Sequence, residues 1–292
     1  MLSLGLAGCS GTTGPDEKDP KSGPVNASTP GATAAADGSD SADFTFRLPI
    51  AAYSYTEAQN ADIGAAEDVL TERCMKRLGI PYTAVQAPEA SRASDRRYGL
   101  SSAEDAARYG YHLPPKASFN PNKGLDAPTL VALYGRSAGI EGTADPSLDV
   151  PPRGCRGEAA DSLDEDHRYR AGAETASGIA RRSYQQATQD SRVREAVRRW
   201  SGCMADRGYT YSDPMAALGD ERFLDKPVTE REVETARADM ECKAEVRLLQ
   251  TWFSVETAVQ KDMIADGSAE LEKLKEAHAA KAAEAREVTG RS

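Results

Sequence analysis

The sequence predicts a mainly α-helical domain, stapled by disulfides, carrying long loops and preceded by a disordered N-terminal tether. Three observations predict it. Large apolar residues recur at three-to-four spacing through the second half of the chain, whereas the alternation of a half-buried strand is scarce. Cys74, Cys155, Cys203 and Cys242 are spread along the presumed folded region, and Cys74 falls on a helical apolar stripe. From Ser10 to about Asp43 the chain is Ser, Thr, Gly, Pro, Ala, Asp and Lys with almost no large apolar residue. Such a segment cannot bury enough surface to offset its ordering entropy. With only 39% apolar and 6% aromatic residues, not all of the 292 residues fit one core. The expected division is a signal and anchor region at 1–9, a tether at 10–44, a helical domain at 45–266 and a polar helical tail at 267–292.

Residues 56–79 read as the first helix, with Ile63, Leu70, Cys74 and Leu78 on one face and Gly79 then Pro81 as the stop. Ser102 caps a brief helix ending at Gly110, and prolines punctuate the region up to Pro152. Short helices follow at 129–134 and from Gly154-Cys155-Arg156-Gly157, then longer ones at 174–188 and 191–208. Thr229 with Glu232 forms a capping box that opens one long helix. Its apolar face is wide, with Val233, Met240, Ala244, Leu248, Trp252, Val255 and Val259 beside Cys242, Val246, Leu249 and Phe253. The tail, rich in Ala, Glu and Lys, reads as an exposed, frayed helix.

The fifth cysteine stands apart. Leu6-Ala7-Gly8-Cys9 follows a short apolar run and precedes the polar tract. It has the form of a lipobox, in which small residues admit a peptidase and the cysteine receives diacylglycerol. The run lacks a basic start and is shorter than the ~7–15-residue core of a signal peptide, so it reads as truncated by a start codon set too far downstream. The tether would reach roughly 30–35 Å root-mean-square, enough to lift a domain off a membrane. The expected location is the outer face of the bacterial cytoplasmic membrane, with lipid joined at Cys9.

Two segments echo one another: Cys74-Met75-Lys76-Arg77-Leu78-Gly79-Ile80-Pro81-Tyr82 and Cys203-Met204-Ala205-Asp206-Arg207-Gly208-Tyr209-Thr210-Tyr211 share Cys-Met-x-x-x-Gly-x-x-Tyr. This reads as a degenerate duplication, 45–165 and 166–266, or as two independent glycine-stopped helices. Four cysteines allow three pairings, and sequence alone does not choose among them. The echo favours Cys74–Cys155 and Cys203–Cys242, each worth about 4 kcal/mol in the chain-entropy model. A zinc site has no support, because Cys-x-x-Cys is absent and His112, His167 and His278 are scattered.

These residues resemble a group of actinobacterial lipoproteins with no established activity. The likeness rests on Leu-Ala-Gly-Cys at 6–9, both Cys-Met-x-x-x-Gly segments, Arg97-Tyr98-Gly99-Leu100, the run from Ala107 to Pro114, and Gly154 to Ala160. It implies an envelope location and a paired-cysteine helical fold, and carries over no functional residue.

A formal charge of -10, with 46 acidic against 36 basic residues, argues against nucleic acid as a partner. No Walker loop, dinucleotide fingerprint or His-Glu-x-x-His is present, so no cofactor or metal is expected. Gly135-Arg136-Ser137-Ala138-Gly139 matches the nucleophile elbow, but a helix rather than a strand precedes it. Two sets of residues are candidates for binding. Tyr98, Tyr109, Tyr111, His112 and Phe119 gather aromatic faces in a loop region, for stacking on a ligand or for covering a small core. Arg181, Arg182, Arg198 and Arg199 belong to a basic stretch that faces an anionic wall polymer or is simply solvated. The expected function is a non-catalytic binding or accessory module at the envelope, whose partner is an envelope protein or an anionic wall polymer. The alternatives are a transporter's solute-binding protein and, behind it, a hydrolase using Ser137.

Overall fold

The computed structural model describes residues 46–86, 94–115, 118–136, 139–140, 147–164, 169–224 and 227–291. Cys9, the tether and Ser137 lie outside them. The described residues fold into helices and contain no strand: a 3-10 turn at Pro49–Tyr53, then α1 (Glu57–Arg77), α2 (Ala103–Tyr109), α3 (Ala127–Tyr134), α4 (Gly154–Asp164), α5 (Arg170–Gln189), α6 (Ser191–Asp206), α7 (Pro214–Leu218), α8 (Glu230–Glu245), α9 (Leu248–Asp266) and α10 (Ser268–Thr289). No described helix is long and apolar enough to cross a membrane.

Local chemistry sets the helix ends. Thr56 and Gln59 form a complete capping box at the start of α1, each side chain bonding the other's backbone amide. Asp126, Asp190 and Asp213 cap α3, α6 and α7. At the close of α1, the Ile80 amide bonds Met75 O and the Gly79 amide bonds Lys76 O. At the close of α6, Tyr209 bonds Met204 O and Gly208 bonds Ala205 O in the same pattern. Both glycines take positive φ, +73° and +86°, which completes a Schellman motif that a residue with a β carbon would strain. The sequence echo is therefore one helix ending built twice.

Each ending is stapled. Cys74 pairs with Cys155 and Cys203 with Cys242, at Cα separations of 5.5 and 5.7 Å. The larger core lies among α5, α6, α8 and α9 and includes Trp200, Met204, Leu248 and Trp252. A smaller cluster surrounds Cys74–Cys155 with Met75, Ala132 and Leu133, and another joins Ile63, Ala66, Leu163 and Ala285.

Two expectations are corrected. The long helix opened by Thr229 is two helices, because the chain turns at Val246-Arg247 and Arg247 adopts φ 54°, ψ 40°. The tail is not an exposed, frayed helix: α10 packs on α1, α5 and α4, and Leu271, Leu274, Ala282 and Ala285 are buried. Lys281 joins Asp164 there, and Arg286 bonds Asp62 at 3.2 Å. Ala285 of α10 packs in one cluster with Ile63 and Ala66 of α1, a role hidden in sequence because alanine-rich composition reads as mere helix propensity.

Candidate functional site

Of the aromatic candidates, Tyr98 and Tyr111 are core residues, at 0% and 6% exposure. The segment around them is drawn onto α8 and α9 by buried polar groups. On α9, the fully buried Glu256 carboxylate accepts from Arg97 Nε at 3.0 and 3.1 Å, from the Tyr98 hydroxyl at 2.7 Å and from Ser183 Oγ at 2.7 Å. Burial first, and then the bond to Glu256, push the Tyr98 hydroxyl's pKa upward. Tyr98 stacks on Trp252 with centroids 4.9 Å apart, and Trp252 stacks on Tyr184 at 5.6 Å. Their faces are spent on one another, and Tyr111 stacks on Phe223 at 5.7 Å, so of the two readings open in sequence Tyr98 and Tyr111 follow the covering of a core rather than stacking on a ligand.

On α8, Lys243 Nζ bonds Asp239 at 3.1 Å and Leu100 O at 2.9 Å, while Trp200 Nε1 donates to Asp239 at 2.9 Å. Burial raises the Asp239 pKa and lowers that of Lys243. Glu232 departs from the predicted capping box. Its amide does bond Thr229 Oγ1, but its carboxylate turns inward to accept from the Tyr111 amide and contacts His112 Nδ1, both at 2.8 Å. A Cβ on Gly110 would lie 2.5 Å from that carboxylate, so only glycine allows this approach. Arg96 completes the clasp by donating to the carbonyls of Tyr111 and His112. Tyr109 is half-buried with the Arg108 guanidinium 5.4 Å from its ring centre, and Phe119, 36% exposed, stands outside the clasp. Sequence reading missed Glu232, Asp239, Lys243 and Glu256, because charged residues inside an apolar helical stripe look like its solvated edge.

The arginine candidates are exposed, and the structure separates them. Arg182 borders a cleft with Gln186 and Asp262 between α5 and α9. Arg198 pairs with Glu195 and borders an apolar cleft floored by Val197 and Trp252. Arg181 lines neither of these. Arg199 lies in a third groove of about 430 Å³, where it is joined by Arg192 from the start of α6 and by Arg247 from the α8–α9 break. Gln250, Thr251 and Ser254 supply amide and hydroxyl groups along the same groove, over Val246 and Val255. Arg192 also holds Asp190, at 2.9 Å. Arg247 was not legible as a groove residue, since the break has no Gly or Pro to announce it; the doubled apolar stripe of 229–259 is its one trace.

Among the described residues no group of His, Cys, Asp and Glu is arranged to hold a metal ion. Helix α3, not a strand, precedes Gly135, so the described part of the elbow motif is a helix exit. The fold and these surfaces define a disulfide-stapled helical bundle with an arginine-lined groove. No family model, curated protein or solved structure matches the chain.

Proposed function

We infer that this protein is a lipid-anchored, non-catalytic binding module of the bacterial envelope, held by diacylglycerol at Cys9 and presenting the helical bundle at the end of a polar tether. The observation that carries the reading is the placement of Leu-Ala-Gly-Cys at 6–9 directly before a tract poor in large apolar residues. The pairing of Cys74, Cys155, Cys203 and Cys242 supports it, since structural disulfides persist in oxidising compartments. A solute-binding protein of a transporter would be expected to alternate strands and helices across two lobes, and the described residues contain no strand. The test is fractionation and intact mass of the native protein with and without Cys9→Ala. Membrane attachment with diacylglycerol mass, lost in the variant, is the expected result; a cytosolic protein with free thiols would overturn the reading.

A further inference from the structure

Arg192, Arg199 and Arg247 line one groove only through the fold; Arg192 is tied to Asp190, the cap of α6, and the other two side chains are left without such a tie. Among the described residues the side chains of Arg199 and Arg247 make no hydrogen bond or ion pair, although the chain as a whole is acidic, at -10. The one carboxylate in the groove, Glu245, is occupied by Arg207 at 3.4 Å. Arg247 is also the single non-glycine with positive φ among the described residues. A glycine would turn the chain from α8 into α9 without strain, but would bring no guanidinium to the groove. A left-handed residue retained beside two guanidiniums without a partner, with the Asp190-bound Arg192 next to them, points to a binding surface.

We propose that this groove binds the phosphodiester groups of an anionic envelope polymer, a deepening that rests on the binding-module reading above. Arginines from two stretches of chain line the groove with Ser254 beside them, Arg199 and Arg247 with side chains uncommitted and Arg192 bound to Asp190, while the Thr251 hydroxyl is donated to Arg247 O at 2.8 Å. A tetrahedral phosphate offers oxygens in several directions and suits this arrangement, whereas a planar carboxylate is satisfied by a single fork. The groove is open to solvent, so its arginines are accessible to an extended ligand. It is not a membrane-docking face: the most exposed large apolar side chains, Val85, Leu113, Leu224 and Val228, do not line it. Because the net charge of -10 repels a polyanion at long range, binding is carried by the local cluster and weakens steeply with salt.

The test uses the full chain carrying Cys9→Ala, titrated with purified poly(glycerol phosphate) by calorimetry at low and high salt. Arg247→Gly should lower affinity by about tenfold, the loss of one charge-assisted contact, while the melting temperature stays level or rises. Arg199→Gln with Arg247→Gly should abolish measurable binding, and Arg181→Gln should leave it unchanged. The proposal is overturned by absent binding, by binding that the double variant retains, by equal binding of a uronic-acid polymer, or by equal or tighter binding of phosphatidylglycerol vesicles or inorganic phosphate. Loss of polymer binding alongside Cys9-dependent membrane attachment sinks the groove assignment alone; loss of that attachment sinks the envelope reading.

Discussion

The two stapled corners of the bundle begin from the same helix ending and finish differently. In each, a buried Cys-Met pair precedes a Schellman glycine, and an arginine lies against the cysteine sulfur: Arg77 by Cys74 at 3.4 Å, and Arg207 by Cys203. In each, that arginine crosses to a glutamate three residues beyond the partner cysteine, Arg77 to Glu158 at 2.8 Å and Arg207 to Glu245 at 3.4 Å. The partner helices break the likeness. Cys155 stands in the first turn of α4, Cys242 in the last turn of α8. The surroundings differ more: Cys74–Cys155 sits in a small cluster, Cys203–Cys242 at the edge of the Trp200–Trp252 core. The same local device thus has unequal work to do. Where apolar burial is small the crosslink carries the corner, and where it is large the crosslink adds to a core that stands without it.

Removing the disulfides one at a time tests this most directly. The loops closed span 81 and 39 residues, so chain entropy alone predicts losses of about 4.5 and about 4 kcal/mol. Such near-equal totals should hide unequal behaviour. Cys74→Ala with Cys155→Ala should expose α3 and α4 to hydrogen exchange at denaturant concentrations where α8 and α9 remain protected. Cys203→Ala with Cys242→Ala should lower the whole transition cooperatively. Matching exchange patterns in the two variants would break the comparison.

Lys243→Met probes the larger core next. It leaves the Asp239 carboxylate, 0% exposed, with Trp200 but no cation, at a cost of about 3–4 kcal/mol in urea unfolding. Adding Asp239→Asn should recover much of that. A loss below ~1 kcal/mol would show that the pair adds little to the core.

The smallest effect lies on the α1–α10 side. His278 stacks on Tyr55 with centroids 3.8 Å apart, and burial, then the charge of Lys281, lower its pKa from the ordinary 6.5. The unfolded chain therefore binds this proton more readily than the folded one. The stability that His278 contributes is full above pH 6.5 and falls as the pH drops through the lowered folded value. Melting temperature followed from pH 7.5 to 5 should show this slope, and His278→Phe should flatten it; an unchanged slope would place the titration elsewhere.

How much was legible depended on whether a signal was local. Thr56, Gly79, Asp190 and Gly208 act on backbone within a few residues, and each helix end they mark is where the sequence placed it. The cysteine pairing is the one the echo favoured, but only the fold brings Cys155 and Cys242 to the two helix endings. The candidate site was less readable. Tyr98 and Phe119 look alike as loop aromatics, yet one is buried beneath α9 and the other exposed, because Glu256 and Arg97 meet across 159 positions. Arg199 was found as one of many arginines, and its partner Arg247 was lost inside an apparently continuous helix.

By itself the sequence determined the helical class, the two glycine-stopped Cys-Met helix endings and the composition break before the folded region, all of which follow from periodicity, caps and side-chain type over short spans. Only the tertiary structure decided that α8 and α9 are separate, that α10 belongs to the bundle, that Glu232, Asp239, Lys243 and Glu256 face inward, and that three arginines share one groove. The reason is physical: burying a charge is disfavoured until a partner from elsewhere in the chain arrives with the right geometry, and that arrival is written in no local pattern.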